Sequence, residues 1–114
     1  MPGKLSTHVL DLTTGRPAVG MRVRLLYFDK EPVLVKEVRT NADGRTDALL
    51  LAAGEMKPGH YSLMFFVRDY FTGQRVDCTF LDIVSVDFQI TDASAGYHVP
   101  LLVTPWAYST YRGS

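Results

Sequence analysis

The chain has 114 residues, 46% hydrophobic and 21% charged, which suits one globular domain burying roughly two-thirds of its unfolded surface. Twelve basic and twelve acidic residues cancel to a formal net charge of zero, without the basic excess that a nucleic-acid or anionic-membrane partner requires. No stretch approaches the roughly 20 apolar residues of a membrane span, Met1 to Leu5 has no apolar leader core, and Cys78 is the single cysteine, so no internal disulfide forms and a reducing, cytoplasmic setting is expected.

Ser6 to Leu12 alternates, with Ser6, His8, Leu10 and Leu12 on one face of a predicted strand and Thr7, Val9 and Asp11 on the other. Thr13 to Pro17 has turn composition. Met21 to Phe28 is a second strand, its apolar face Met21, Val23, Leu25 and Tyr27, and Val33 to Thr40 is a third. Asn41-Ala42-Asp43-Gly44 predicts a tight hairpin turn, because Asp-Gly supplies the positive φ it needs. The same residues lack the first ligand and the closing glutamate of a calcium loop. Arg45 is then expected at the start of the next strand.

Asp47 to Ala53 suits a helix or a buried strand equally, and Gly54 to Gly59 is a loop. His60 to Asp69 is a long apolar and aromatic strand, and Tyr70 to Asp77 is the one place where a short helix is expected. Phe80 to Thr91, Tyr97 to Val103 and Trp106 to Ser114 complete the strands, separated by the Asp92–Gly96 turn and the Thr104-Pro105 break. Six to eight short strands at regular spacing predict an all-β antiparallel sandwich over residues 1–114 as a single domain.

Three histidines carry the only side chains that ordinarily titrate near neutrality. His8 and His98 fall mid-strand, where a histidine is either a hydrogen-bonded structural residue or a catalytic one. His60 follows Pro58-Gly59 and is expected on the surface. There is no nucleophile elbow, no paired-histidine metal motif and no phosphate loop, and Cys78 has no activating neighbour in sequence. The chemistry left is histidine-assisted attack by water with Arg45 holding a carbonyl-rich or anionic substrate. The chain ends on Tyr111-Arg112-Gly113-Ser114, which sets a phenol, a guanidinium, a close-approach glycine and a hydroxyl beside the terminal carboxylate.

In order along the chain stand Ser6-Thr7-His8-Val9-Leu10-Asp11, Gly15-Arg16-Pro17-Ala18, Thr40-Asn41-Ala42-Asp43-Gly44-Arg45, Tyr97-His98-Val99-Pro100-Leu101-Leu102 and Tyr108-Ser109-Thr110-Tyr111-Arg112-Gly113-Ser114. This pattern resembles the transthyretin-like family over essentially the whole chain, and within it the 5-hydroxyisourate hydrolase branch. The terminal Tyr-Arg-Gly-Ser is the most discriminating motif, since hormone-carrying transthyretins end this strand differently and lack the two histidines. Tyr70 to Val84 departs from the family pattern, carrying no proline where relatives often have one.

The resemblance implies a transthyretin-like sandwich of two sheets and about eight strands with one short helix. It also implies a homotetramer with its active sites in a channel between dimers, and a small-molecule substrate, 5-hydroxyisourate. It carries the functional positions onto His8, Arg45, His98 and the tetrapeptide Tyr111, Arg112, Gly113 and Ser114. In the implied ring-opening hydrolysis one histidine activates water while the other orients or protonates the substrate. His8 as base and His98 as partner is the first assignment, and the reverse is open. Arg45 holds the developing oxyanion, and no metal or organic cofactor is needed. The rival reading is a non-catalytic small-ligand carrier of the transthyretin type.

Overall fold

The computed structural model describes residues 3–114. Met1 and Pro2, which open the segment read as lacking an apolar leader core, lie outside the described residues. Among the described residues ten short strands form: β1 (Lys4–Ser6), β2 (Val9–Asp11), β3 (Arg16–Pro17), β4 (Arg22–Phe28), β5 (Pro32–Arg39), β6 (Gly59–Phe66), β7 (Ile83–Ile90), β8 (Gly96–His98), β9 (Leu101–Val103) and β10 (Tyr108–Thr110). An α-helix, α1 (Val67–Gly73), joins β6 to β7. One four-stranded sheet runs β5-β4-β6-β7, a second runs β10-β9-β2-β3, and β1 pairs with β8 beside the second.

The layers are held by the period of two. In β4, Val23 and Leu25 are fully buried and alternate with the half-buried Arg22, Arg24 and Leu26. Leu63 and Phe65 of β6 and Val84 of β7 continue this inner face, and Val9, Leu101 and Val103 meet it from the other sheet. Outside the core, the guanidinium of Arg22 lies 3.9 Å from the centre of the Phe66 ring, so the long basic side chains cover the outer surface of their sheet.

Several boundaries differ from the sequence reading. The helix starts at Val67 rather than Tyr70 and ends at Gly73 rather than Asp77. Val67, Tyr70 and Phe71 bury one helical stripe, and the apolar run Leu63 to Val67, which crosses from β6 into the helix, hid where the period changes from two to 3.6. Asp47 to Ala53 forms neither an α-helix nor a full strand: Leu50 and Leu51 plug the core, a single bridge joins Leu51 to Leu5, and Ala53 opens a short 3-10 helix, Ala53–Glu55. Asn41 to Gly44 does turn, with Gly44 at φ 74°, but it opens no hairpin, and Arg45 starts no strand. The turn bonds instead to the opposite sheet, where Val9 N–H donates to the Gly44 carbonyl at 2.8 Å.

Ser6–Leu12 and Tyr97–Val103 are each two strands rather than one, and they lie side by side in parallel, Ser6 opposite His98 and Val9 opposite Leu101. Pro100 has no N–H for the ladder, which breaks both strands at the same level. The Thr7 hydroxyl fills part of that gap by donating to the Val99 carbonyl at 2.7 Å. This double break is where both strand histidines sit. Among the described residues no helix is long and apolar enough to cross a membrane.

Candidate active site

His98 closes β8 and is gripped from two sides. On one, Ser6 Oγ lies 2.9 Å from His98 Nδ1, and Val99 N–H donates to the Ser6 carbonyl at 2.9 Å. On the other, His98 N–H donates to the Gly113 carbonyl at 3.1 Å and Gly113 N–H donates to the His98 carbonyl at 2.7 Å. The ring is half-buried, and its pKa is pushed below the ordinary histidine value first by that burial, then by the nearby charges of Arg45, His8 and Lys4. Arg45 and His8 therefore stand close enough to His98 to act on its charge, although 53 and 90 positions separate them from it in the chain.

His8 sits in the gap between β1 and β2, and its Nε2–H donates to the Asp43 carbonyl at 2.8 Å. A carbonyl oxygen only accepts, so the proton stays on Nε2 and the neutral ring keeps its lone pair on Nδ1. The Asn41–Gly44 turn is built for this contact. Asn41 Oδ1 accepts the N–H groups of Asp43 at 2.9 Å and Arg45 at 3.2 Å, which aims the Asp43 carbonyl and presents an exposed Arg45 beside it. Gly44 is compelled at its place, since a Cβ there would lie 2.4 Å from the Val9 carbonyl oxygen.

The tail folds back over β8. Gly113 lies against the His98 ring, Arg112 Nη2 donates to the Gly96 carbonyl at 3.1 Å, and the Ser114 backbone carbon packs against Gly96. The Arg112 guanidinium also sits 4.6 Å from the centre of the Tyr97 ring. With Thr110 and Arg112, Tyr111 lines an open cavity of about 290 Å³ floored by Val86, Phe88 and Val99, which neither His8, Arg45 nor His98 lines. A larger open cavity of about 730 Å³ is lined by Phe28, His60, Asp87 and Gln89, and by neither His8, Arg45 nor His98. Cavity size therefore does not single out these residues; what marks them as a candidate site is the convergence of two imidazoles, a guanidinium and the tail residues Arg112 to Ser114.

His60 is exposed, in keeping with its reading as a surface residue. The Cys78 thiol is buried, and that burial pushes its pKa up, the reverse of what a reactive thiolate needs. Among the described residues no group of three or more His, Cys, Asp or Glu could hold a metal ion.

Three contributors escaped the sequence reading: Ser6, the Asp43 carbonyl and Lys4. Ser6 had a signal, since its alternation with His8 already put the two on one face. The backbone carbonyl of Asp43 had none.

Residues 5–113 match the model of the HIUase/Transthyretin family. The chain is 52% identical to a 5-hydroxyisourate hydrolase of Deinococcus radiodurans, over 99% of this chain and 97% of that protein. Among solved structures, the 5-hydroxyisourate hydrolase of Klebsiella pneumoniae superposes with a TM-score of 0.84 at 34% identity, over 98% of this chain and 99% of the other. An (S)-allantoin synthase superposes with a TM-score of 0.93 at 40% identity over 99% of this chain, which spans only 44% of that longer one. The fold is that of the transthyretin-like sandwiches. The chain belongs to the HIUase/Transthyretin family.

Proposed function

We propose that this protein hydrolyses 5-hydroxyisourate, opening its six-membered ring at a cyclic amide to give 2-oxo-4-hydroxy-4-carboxy-5-ureidoimidazoline. The observation that carries this reading is that His8 and His98 lie at one strand break with Arg45 close enough for its charge to act on His98, in a chain whose full-length relative is such a hydrolase. A carrier of an apolar ligand has no use for two imidazoles and a cation in one place.

The roles follow from the protons. His8 Nδ1, its lone pair freed by the Asp43 carbonyl on the other nitrogen, takes a proton from water as the water oxygen bonds to the amide carbon. The carbonyl electrons move onto oxygen, where Arg45 and a neutral His98 N–H stabilise the negative charge. The C–N bond then breaks, and the nitrogen takes back the proton held by His8. General acid–base help of this kind contributes about a hundred- to ten-thousand-fold. Arg112, Gly113 and Ser114 wall the pocket and hold the His98 end of it, with Tyr111 at its outer rim.

A homotetramer completes the site. The tail residues Tyr111, Arg112 and Ser114 are exposed on the single chain, as are Leu12, Val19, Trp106 and Tyr108. Strands β7 and β10 end their sheets with unpaired edges. The lone buried Cys78 suits a reducing cytoplasm. The test is to generate 5-hydroxyisourate in situ with urate oxidase and follow its decay. Decay accelerated in proportion to protein supports the reading, and decay indifferent to the protein overturns it.

A further inference from the structure

We propose that Ser6 is a positioning residue for the hydrolysis: its hydroxyl donates to His98 Nδ1 and so keeps the ring proton on Nε2, aimed at the substrate oxyanion. This rests on the function proposed above.

Ser6 and His98 are register partners across the parallel β1–β8 ladder. The Ser6 carbonyl is already taken by Val99 N–H, so the hydroxyl alone is left to act. Among the described residues its one hydrogen bond is to Nδ1, at 2.9 Å. The opposite edge of the ring is closed: a Cβ added at Gly113 would lie 3.2 Å from His98 Cδ2. With Nδ1 held by Ser6 and Cδ2 beside the tail, Nε2 is the ring nitrogen left without a protein partner among the described residues.

The direction of the Ser6 bond follows from what each alternative leaves unpaired. With the proton on Nδ1, that N–H would donate to Ser6, and the serine O–H would have no acceptor among the described residues. With the proton on Nε2, the hydroxyl has Nδ1 as acceptor, while Nε2–H has water or substrate. The second arrangement strands no polar group, and leaving the hydroxyl without a partner is the less favourable alternative. It also gives the two histidines opposite tautomers. A backbone carbonyl leaves His8 with a free lone pair, and a hydroxyl leaves His98 with a free N–H, which are the base and the donor that the reaction needs.

Two measurements test this. Long-range nitrogen–proton spectra of the histidine rings in the free wild-type protein, above the depressed His98 pKa, are expected to show the Nε2–H tautomer for His98, and a mixture in Ser6→Ala. In steady-state kinetics Ser6→Ala is expected to lower kcat about tenfold, the order found when a partner orienting an imidazole is lost, with KM moved far less. Ser6→Thr, which keeps the hydroxyl, is expected to restore the rate. An Nδ1–H tautomer in the wild type overturns the proposal, as does a Ser6→Ala enzyme with unchanged kcat. The spectra need no substrate, so a wild type without hydrolytic activity removes the catalytic reading while the tautomer is still judged by its own signal.

Discussion

Gly113 and His98 exchange both backbone hydrogen bonds, at 3.1 and 2.7 Å, although the sequence places them on separate strands. The glycine α-carbon faces the imidazole so closely that a Cβ would lie 3.1 Å from His98 Cβ. The end of the chain is thereby part of the wall that orients a candidate catalytic ring.

Gly113→Ala should therefore displace the ring or the tail by a few tenths of an ångström. About a tenfold loss of kcat with an unchanged melting temperature is expected, because misplacement near a reacting group costs rate far more than stability. Deleting Tyr111 to Ser114, or appending a tag after Ser114, should reduce hydrolysis more severely in a sandwich that stays folded by circular dichroism. A frayed terminus would tolerate either change. A tagged protein of wild-type activity would show that the free carboxylate has no part.

His8→Ala, Arg45→Ala and His98→Ala should each cost two or more decades of activity, about the loss seen when a general base or an oxyanion donor is removed. Size-exclusion profiles and unfolding midpoints should stay near wild type. His60→Ala, at an exposed residue lining a cavity that none of these three lines, is the internal control and should be almost silent.

The His98 environment predicts a pH dependence with a definite sign. Its folded pKa lies below 6.5, from burial first and then from Arg45, His8 and Lys4, so the unfolded chain binds more protons in the window between the two values. Stability therefore rises with pH through that window, is full above the unfolded value, and is lost as pH falls through the folded one. His98→Asn should flatten this part of the profile in urea titrations run from about pH 5 to pH 8. An unchanged slope would remove His98 as its source.

Tyr70 donates to Asp11 Oδ2 at 2.8 Å, tying α1 to β2, and burial with the adjacent carboxylate pushes the phenol pKa up. Asp11 Oδ1 keeps its own bonds to the Thr13 N–H and hydroxyl, at 2.8 and 2.6 Å. Tyr70→Phe strands only Oδ2, at a cost of about 1–3 kcal/mol in unfolding free energy. Activity per folded molecule should be unchanged, which separates this buried link from the site.

Multi-angle light scattering should report a tetramer at micromolar concentration. Substitution of Trp106 or Tyr108 by lysine should shift it toward smaller species and reduce activity in step, because exposed aromatic edges are the surfaces a partner copy would cover. A stable, fully active monomer would defeat the assembly.

The sandwich was legible in the sequence because its signal is local. Alternation of Met21, Val23 and Leu25 with Arg22 and Arg24 needs only neighbouring residues, and burial of one face follows from it. His8, Arg45 and His98 were legible as types in a recognisable pattern. The start of α1 was not, because the apolar run from Leu63 to Val67 suits a buried strand and a helix alike. Nor did any local feature tell that the Asn41–Gly44 turn would seat on β2 instead of starting a hairpin. Which nitrogen each histidine offers was decided only by the tertiary fold, through Asp43 for His8 and Ser6 for His98, partners 35 and 92 residues away. Periodicity records which face a side chain is on; its partner across the sheet is set by register, and register emerges only when the two sheets close over a common core.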